Sequence, residues 1–433
     1  MNCFDLPHGL AHCITVAKPW FELVVGLIGV GTFTLAAVLT WIIKKIRAEN
    51  ETARKAYDEA LRDKQRAEEA LRDANRELGA VRYQLDLSQS ARSGEANEMT
   101  RKLEVALREN EQLQSRFALV RKMTDDGDAS FWSRDPQRDP RDRYEERLGN
   151  SIPIVLLAAQ KGGVGKSSLS TSLAACFADS GERVLAVDMD YQGTMSAQMI
   201  LEAGHRLGTD QSRVDRLLQN QLPPHWQDAI LQVRGNLDFL PAFYPLEALE
   251  RREEYRWAMG ETEDDVRYRL ARALLSDDVK RTYKLVIIDA PPRMTLGFIN
   301  GLCASTHLFV PTIVDRPSTL AVTRFAQQFS RLVPKINPFL KFAGIIGTMT
   351  NRGPALPKVN KDIADLTEAQ ATSALDPGVA LFPLFIREAV LQRDTDLAVA
   401  AASGIPYWKE PATQPIFQEL AKAIRARLIR KTS

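Results

Sequence analysis

Cysteine and histidine are scarce: the chain of 433 residues has four of the first and five of the second, with no CxxC pair. Cys3 and Cys13 sit near the start and Cys176 and Cys303 far downstream, a spacing that argues against a structural zinc site. The scattered histidines form no Ser/His/Asp or Cys/His constellation of the kind that supports nucleophilic hydrolysis. Excess charge of one sign is missing as well. The formal net charge is +2, so no global basic character calls for a nucleic acid, which is possible as a partner through local basic patches but not indicated. Proline is absent from residue 48 to residue 122, so nothing there interrupts a helix.

What is present is strongly segmented. Residues 20–43 run almost wholly apolar, with Glu22 at the edge and no charge further in. As a helix they span ~36 Å, enough to cross a hydrocarbon core with some tilt. Trp20, Phe21 and Trp41 fall near the two ends and Lys44, Lys45 and Arg47 follow; aromatic rings favour the interface, and a basic flank stays cytoplasmic. The expectation is a single-pass transmembrane helix in the bacterial inner membrane, with residues 1–19 outside, where Cys3 and Cys13 could oxidise. A cleaved signal peptide would carry its basic cluster before the apolar stretch, the reverse of the order here. A buried core helix would need covering segments, and none is evident.

Residues 44–122 are dense in Glu, Arg, Ala, Lys and Leu, the composition of a long helix. Apolar residues recur in heptads: Tyr57, Ala60, Lys64, Ala67, Leu71, Ala74, Leu78, Val81 and Leu85, then Ala96, Met99, Leu103, Ala106, Asn110, Leu113, Phe117 and Val120. The second stretch is offset by about four residues, a stutter near residues 90–94. Asn110 at an a position suggests a parallel coiled-coil dimer, because a buried amide is satisfied by its symmetry mate. A single exposed helix, or two antiparallel helices folding back at Gly94, are the alternatives. Residues 123–150, rich in Asp, Arg and Pro, read as a linker that Phe131 and Trp132 are placed to dock on the next domain.

From residue 151 to residue 433 the pattern changes. Residues 151–159, SIPIVLLAA, read as a buried parallel strand, followed by QKGGVGKSS and a helical stretch ending at Gly181. Strand, glycine-rich turn and helix make a phosphate cradle: Gly162, Gly163, Val164, Gly165 and Ser168 let backbone N–H groups approach an anion at a helix N-terminus. Lys166 would reach the β- and γ-phosphates of ATP and Ser167 would ligate Mg2+. Gln160 stands where the usual pattern has glycine, and Lys161 follows it. Cys176, on the helix after the loop, reads as a small core residue.

KGGVGKS resembles the deviant Walker A motif of the ParA/MinD family. The resemblance implies that Lys161 crosses a dimer interface to the partner's phosphates, so that ATP is sandwiched in a homodimer. Residues 182–196, ERVLAVDMDYQGTMS, are similar to the family's switch I, in which Asp190 positions the attacking water and lies by the metal; Tyr191 replaces a common proline. Asp289, at the end of YKLVIIDAPP, resembles the Walker B carboxylate that holds the Mg2+ shell, partly through water, and Ala290, Pro291 and Pro292 resemble switch II. Asn351, Arg352 and Pro383 resemble adenine-side residues. Alternating strands and helices independently support an α/β fold, a doubly wound, mostly parallel P-loop NTPase sheet with nucleotide at the strand C-termini. The last helical stretch, from residue 416, is amphipathic with a basic face, which is either solvated or, as in this family, used on DNA or membrane.

Soluble members of that family cycle on and off a surface, which a transmembrane anchor forbids. The expected function is therefore a slow, partner-stimulated ATP hydrolase acting as a dimerisation switch or scaffold, recruiting or positioning an unidentified protein partner at the inner membrane. The alternatives are a regulatory component of envelope polysaccharide export, and a signalling or anti-phage defence ATPase controlling a separate effector.

Overall fold

The computed structural model describes residues 32–88, 93–125, 128–205, 208, 211–219, 222–349, 358–376, 379, 383–387, 391 and 395–429. The chain divides near residue 114 into two compact units.

The first unit is built on the helix Thr32–Ser88 and most of the helix Ser93–Asp125. Residues 20–31 of the expected transmembrane segment, and residues 1–19, lie outside the described residues, and 32–43 are the start of the long helix. Among the described residues no helix is long and apolar enough to cross a membrane. Leu71, Ala74, Leu78 and Val81 on the first helix, and Met99, Leu103 and Ala106 on the second, are half-buried, and Asn110 is buried. These are the heptad positions. Their arrangement differs from a parallel dimer: the Asn110 side-chain amide donates to Asn75 Oδ1 of the same chain at 2.8 Å. The two helices thus meet along part of their apolar stripes, while Ala60, Lys64, Ala67 and Leu113 of the same series stay exposed, and the Asn110 amide finds a partner intramolecularly.

The second unit is an eight-stranded sheet in the order β3-β4-β2-β5-β1-β6-β7-β8. The strands are β1 Ile154–Leu157, β2 Val184–Asp188, β3 Leu231–Arg234, β4 Leu237–Leu240, β5 Leu285–Asp289, β6 His307–Ile313, β7 Lys341–Thr348 and β8 Phe385–Ile386. Only the edge strand β3 runs antiparallel, to β4; every other pairing is parallel. Central strands read as unbroken apolar runs because both faces are covered. Ile154, Leu156, Leu185, Val187, Val286 and Ile288 point to one core, while Val155, Leu157, Val184, Ala186, Leu285 and Ile287 point to the other. The first core is closed by the helices Leu296–Ala304, Arg316–Ile336 and Lys358–Ala374, the second by Lys166–Asp179 and Gln414–Leu428.

Two features of the amphipathic ends follow from this packing. The helix Gln414–Leu428 buries Phe417, Leu420, Ile424 and Leu428 in the second core, and its Arg427 donates to Ala343 O at 2.7 Å. Ahead of the sheet, residues 128–149 lie against it, with short helices Asp128–Phe131 and Tyr144–Gly149 and buried Trp132, Tyr144 and Leu148.

Candidate functional site

The C-terminal ends of β1, β2 and β5 lie side by side: Leu157 and Asp188 are both in register with Asp289. The glycine-rich turn leaves β1 here. Gly163 and Gly165 have φ of +74° and +75°, a left-handed conformation that residues with a Cβ adopt at a cost. Gly165 is also the N-cap of the helix Lys166–Asp179 and gives it no side-chain cap, which leaves the first-turn N–H groups for an anion. Val164 is buried, whereas Gly162 and Gly163 are exposed on the rim. Gln160, in the place of a glycine, donates from Nε2 to Gln328 Oε1 at 2.6 Å.

Below the turn lies a buried ionic cluster. Lys166 Nζ donates to Asp289 Oδ1 at 2.9 Å, and Ser170 Oγ donates to the same oxygen at 3.0 Å. Asp289 is fully buried and Lys166 is 8 % exposed. Burial works against the Lys166 charge, but Asp289, with Asp190 and Asp188, outweighs it and raises the ammonium above the ordinary lysine range. Asp289 Oδ2 is buried with no hydrogen-bond partner among the described residues. An orphaned carboxylate oxygen in such a place fits the shell of a hydrated divalent cation. Ser167, at the first helical turn, is half-buried beside it in sequence.

The loop after β2 is fixed by a second carboxylate. Asp188 Oδ1 accepts from the Asp190 amide at 2.9 Å, and Oδ2 accepts from the Ser196 amide and hydroxyl at 2.9 and 2.7 Å. Its carboxyl stands well above the usual carboxylate range, first through burial and then through the Asp289 charge. Asp190 is 8 % exposed, accepts from the Gln192 amide at 3.1 Å, and is raised by burial. Gly193 has φ +64°, and a Cβ there would come within 2.6 Å of the Phe243 ring, so the turn admits only glycine. Tyr191, in place of proline, packs on the core.

Lys161 does not point at the cluster. Its Nζ donates to Ser318 Oγ at 2.6 Å and lies 3.5 Å from Asp315 Oδ2, at the N-terminus of the helix Arg316–Ile336, and it is about one-third exposed. Pro383 is exposed just before β8; Asn351 and Arg352 lie outside the described residues.

Several residues of this site were not legible in the motifs. Ser170 shares Asp289 with Lys166; Ser196 Oγ relays Asp188 to the Ala242 amide at 2.9 Å. Glu250, buried on the helix Tyr244–Met259, accepts from Thr295 Oγ1 and the Gly297 amide at 2.7 and 2.6 Å. Their signal is tertiary, apart from the Ser170 i,i+4 position on the loop helix.

Comparison with solved structures gives the same fold. A family described as an AAA domain matches residues 152–342. The chain is 29% identical over 222 residues to the chromosome partitioning protein ParA of Caulobacter vibrioides, covering 49% of this chain and 76% of that protein. It is 27% identical over 280 residues to the sporulation initiation inhibitor protein Soj of Bacillus subtilis, covering 63% and 98%. Among solved structures, apo McdA from Cyanthece superposes with a TM-score of 0.50 at 18% identity, covering 64% of this chain and 99% of that one.

Proposed function

We propose that the domain from residue 152 onward is a member of the ParA/MinD family of P-loop ATPases, that the chain binds ATP with Mg2+ and hydrolyses it, and that nucleotide-dependent pairing of two copies recruits or positions a protein partner at a membrane. The observation that carries this reading is the buried Lys166–Asp289 pair under a left-handed glycine turn, with Asp289 Oδ2 left over. The chemistry of the donor set suits a nucleotide–metal complex and little else. Relatives described as chromosome partitioning and cell division proteins support a positioning task.

The chain's own residues divide the work. First-turn amides and Lys166 bind the phosphates; moving Lys166 to an anion would leave Asp289 held by Ser170 alone at Oδ1, with its unpartnered Oδ2 placed to orient a metal's water shell. Mg2+, when bound, supplies neutralisation of charge on the phosphates. Asp190 orients the attacking water, and burial brings its carboxyl closer to the pH at which it can accept a proton. Ser196 and the Asp188 carboxylate hold switch I in place. Lys161 is held on its own chain by Ser318 and Asp315, so joining a second copy requires it to exchange those oxygens for the partner's phosphate, which couples pairing to nucleotide. Residues 20–43 serve as the membrane anchor in this reading.

The test is ATP binding and phosphate release by the full-length chain, with membrane fractionation of the same preparation. Lys166→Ala should abolish nucleotide binding, and a chain lacking residues 1–43 should leave the membrane fraction. Unchanged affinity in the first would reject the site, and membrane retention in the second would reject the anchor.

A further inference from the structure

The segment between the N-terminal helices and the sheet contains residues that grip both ends of the helix after Asp289. Trp132, 1 % exposed, donates from Nε1 to Met294 O at 2.8 Å. Met294 sits in the turn between Asp289 and the helix Leu296–Ala304. Tyr144 OH donates to Cys303 O, at the other end of that helix, at 2.5 Å. Such a double attachment leaves the helix little freedom to shift without moving the strap.

The strap itself is held through its backbone by a buried ion pair. Arg267, fully buried, donates from Nη1 to Trp132 O and Arg134 O, both at 2.7 Å, and is paired with Asp265 at 2.7 Å. Asp265 Oδ2 in turn accepts from the Gln137 amide at 3.0 Å. The Trp132 ring stacks on Trp257 at 6.4 Å between centroids, and Arg134 lies over the other ring at 4.6 Å. A buried guanidinium of this kind is costly unless its donors are used, so removing the strap would leave Arg267 short of acceptors.

We infer that Trp132 is a positioning residue for hydrolysis: through Met294 it holds the turn that follows Asp289. The inference rests on the ATPase reading above. Any rearrangement of that turn on nucleotide binding is therefore passed to the segment around Trp132, and the reverse.

The test uses the full-length chain. Trp132→Phe keeps an aromatic ring but deletes the donor to Met294 O; kcat should fall about fivefold, the scale of one buried neutral hydrogen bond, while the Kd for ATP stays the same. A kcat per folded molecule equal to the parent's, with only the melting temperature lowered, would overturn the positioning role. Should the variant fail to fold, hydrogen exchange on the parent decides: a non-hydrolysable ATP analogue should change protection in residues 131–138 together with residues 290–296, and a change confined to 290–296 would overturn it. A parent chain that hydrolyses no ATP would instead count against the ATPase reading.

Discussion

Replacing Lys166 with methionine keeps most of the side-chain length and its apolar stem but deletes the ammonium that faces Asp289. Asp289 is fully buried, Asp188 is fully buried beside it, and Asp190 is nearly so, so the loss leaves a cluster of carboxyls without its cation. Removing one partner of a buried ion pair costs about 3–5 kcal/mol, which for a domain of this size lowers Tm by roughly 6–20 °C. The sign with pH follows from Asp188. Its folded-state pKa lies above the ordinary value, so the stability it contributes when protonated is present at low pH and is lost as pH rises. Without Lys166 that loss deepens, and the gap between variant and parent should be wider at about pH 8 than at about pH 5.5. Asp289→Asn in the Lys166→Met chain removes the orphaned charge and should recover most of the lost stability without restoring nucleotide binding, a negative coupling read from the double-mutant cycle. Nucleotide-free thermal melts of the full-length variants measure all of this. A single variant that melts with the parent at both pH values, or a double variant less stable than the single one, would refute the reasoning.

Asp190→Ala should keep ATP affinity and slow phosphate release by about a hundredfold or more; a normal rate would remove Asp190 from its role. Burial pushes the Glu250 carboxyl up to about 8. The stability this gives is therefore complete below the ordinary glutamate value and disappears as pH rises through about 8. Glu250→Gln stays neutral, so its melting temperature should gain on the parent's across that interval, and parallel curves would contradict the placement. Asn110→Leu should cost about 1 kcal/mol by orphaning the Asn75 amide, with Asn75→Leu restoring part of it; independent effects would reject the intramolecular contact.

Much of the α/β unit could be read in the chain because the physics is local. Apolar runs such as residues 153–159 and 285–288 have both faces buried, and the glycine turn with its lysine leaves few other structures open. Asp188, Asp190 and Asp289 stand at strand ends, where side chains meet across the sheet. The pairing of the two helices was less accessible: heptads specify a seam, but Asn110 can satisfy a symmetry mate or Asn75 equally well, and only the tertiary contact with Asn75 decides. The cis contacts of Lys161 with Ser318 and Asp315, and the Trp132 bond to Met294 O, join positions about 155 residues or more apart, a separation at which no short pattern carries information. Residues 128–149 show the same limit, because Asp, Arg and Pro suggest a free linker while Trp132, Tyr144 and Leu148 are buried.

The most direct measurement is the distance between two heads as a function of nucleotide, read by site-specific crosslinking of the full-length chain. With a non-hydrolysable ATP analogue and Mg2+, crosslinks between the faces around Lys161 should appear, and Lys161→Ala should bind the analogue with parental affinity yet fail to crosslink. Heads that stay apart with the analogue bound, or Lys161→Ala heads that crosslink as efficiently as the parent, would contradict nucleotide-dependent pairing.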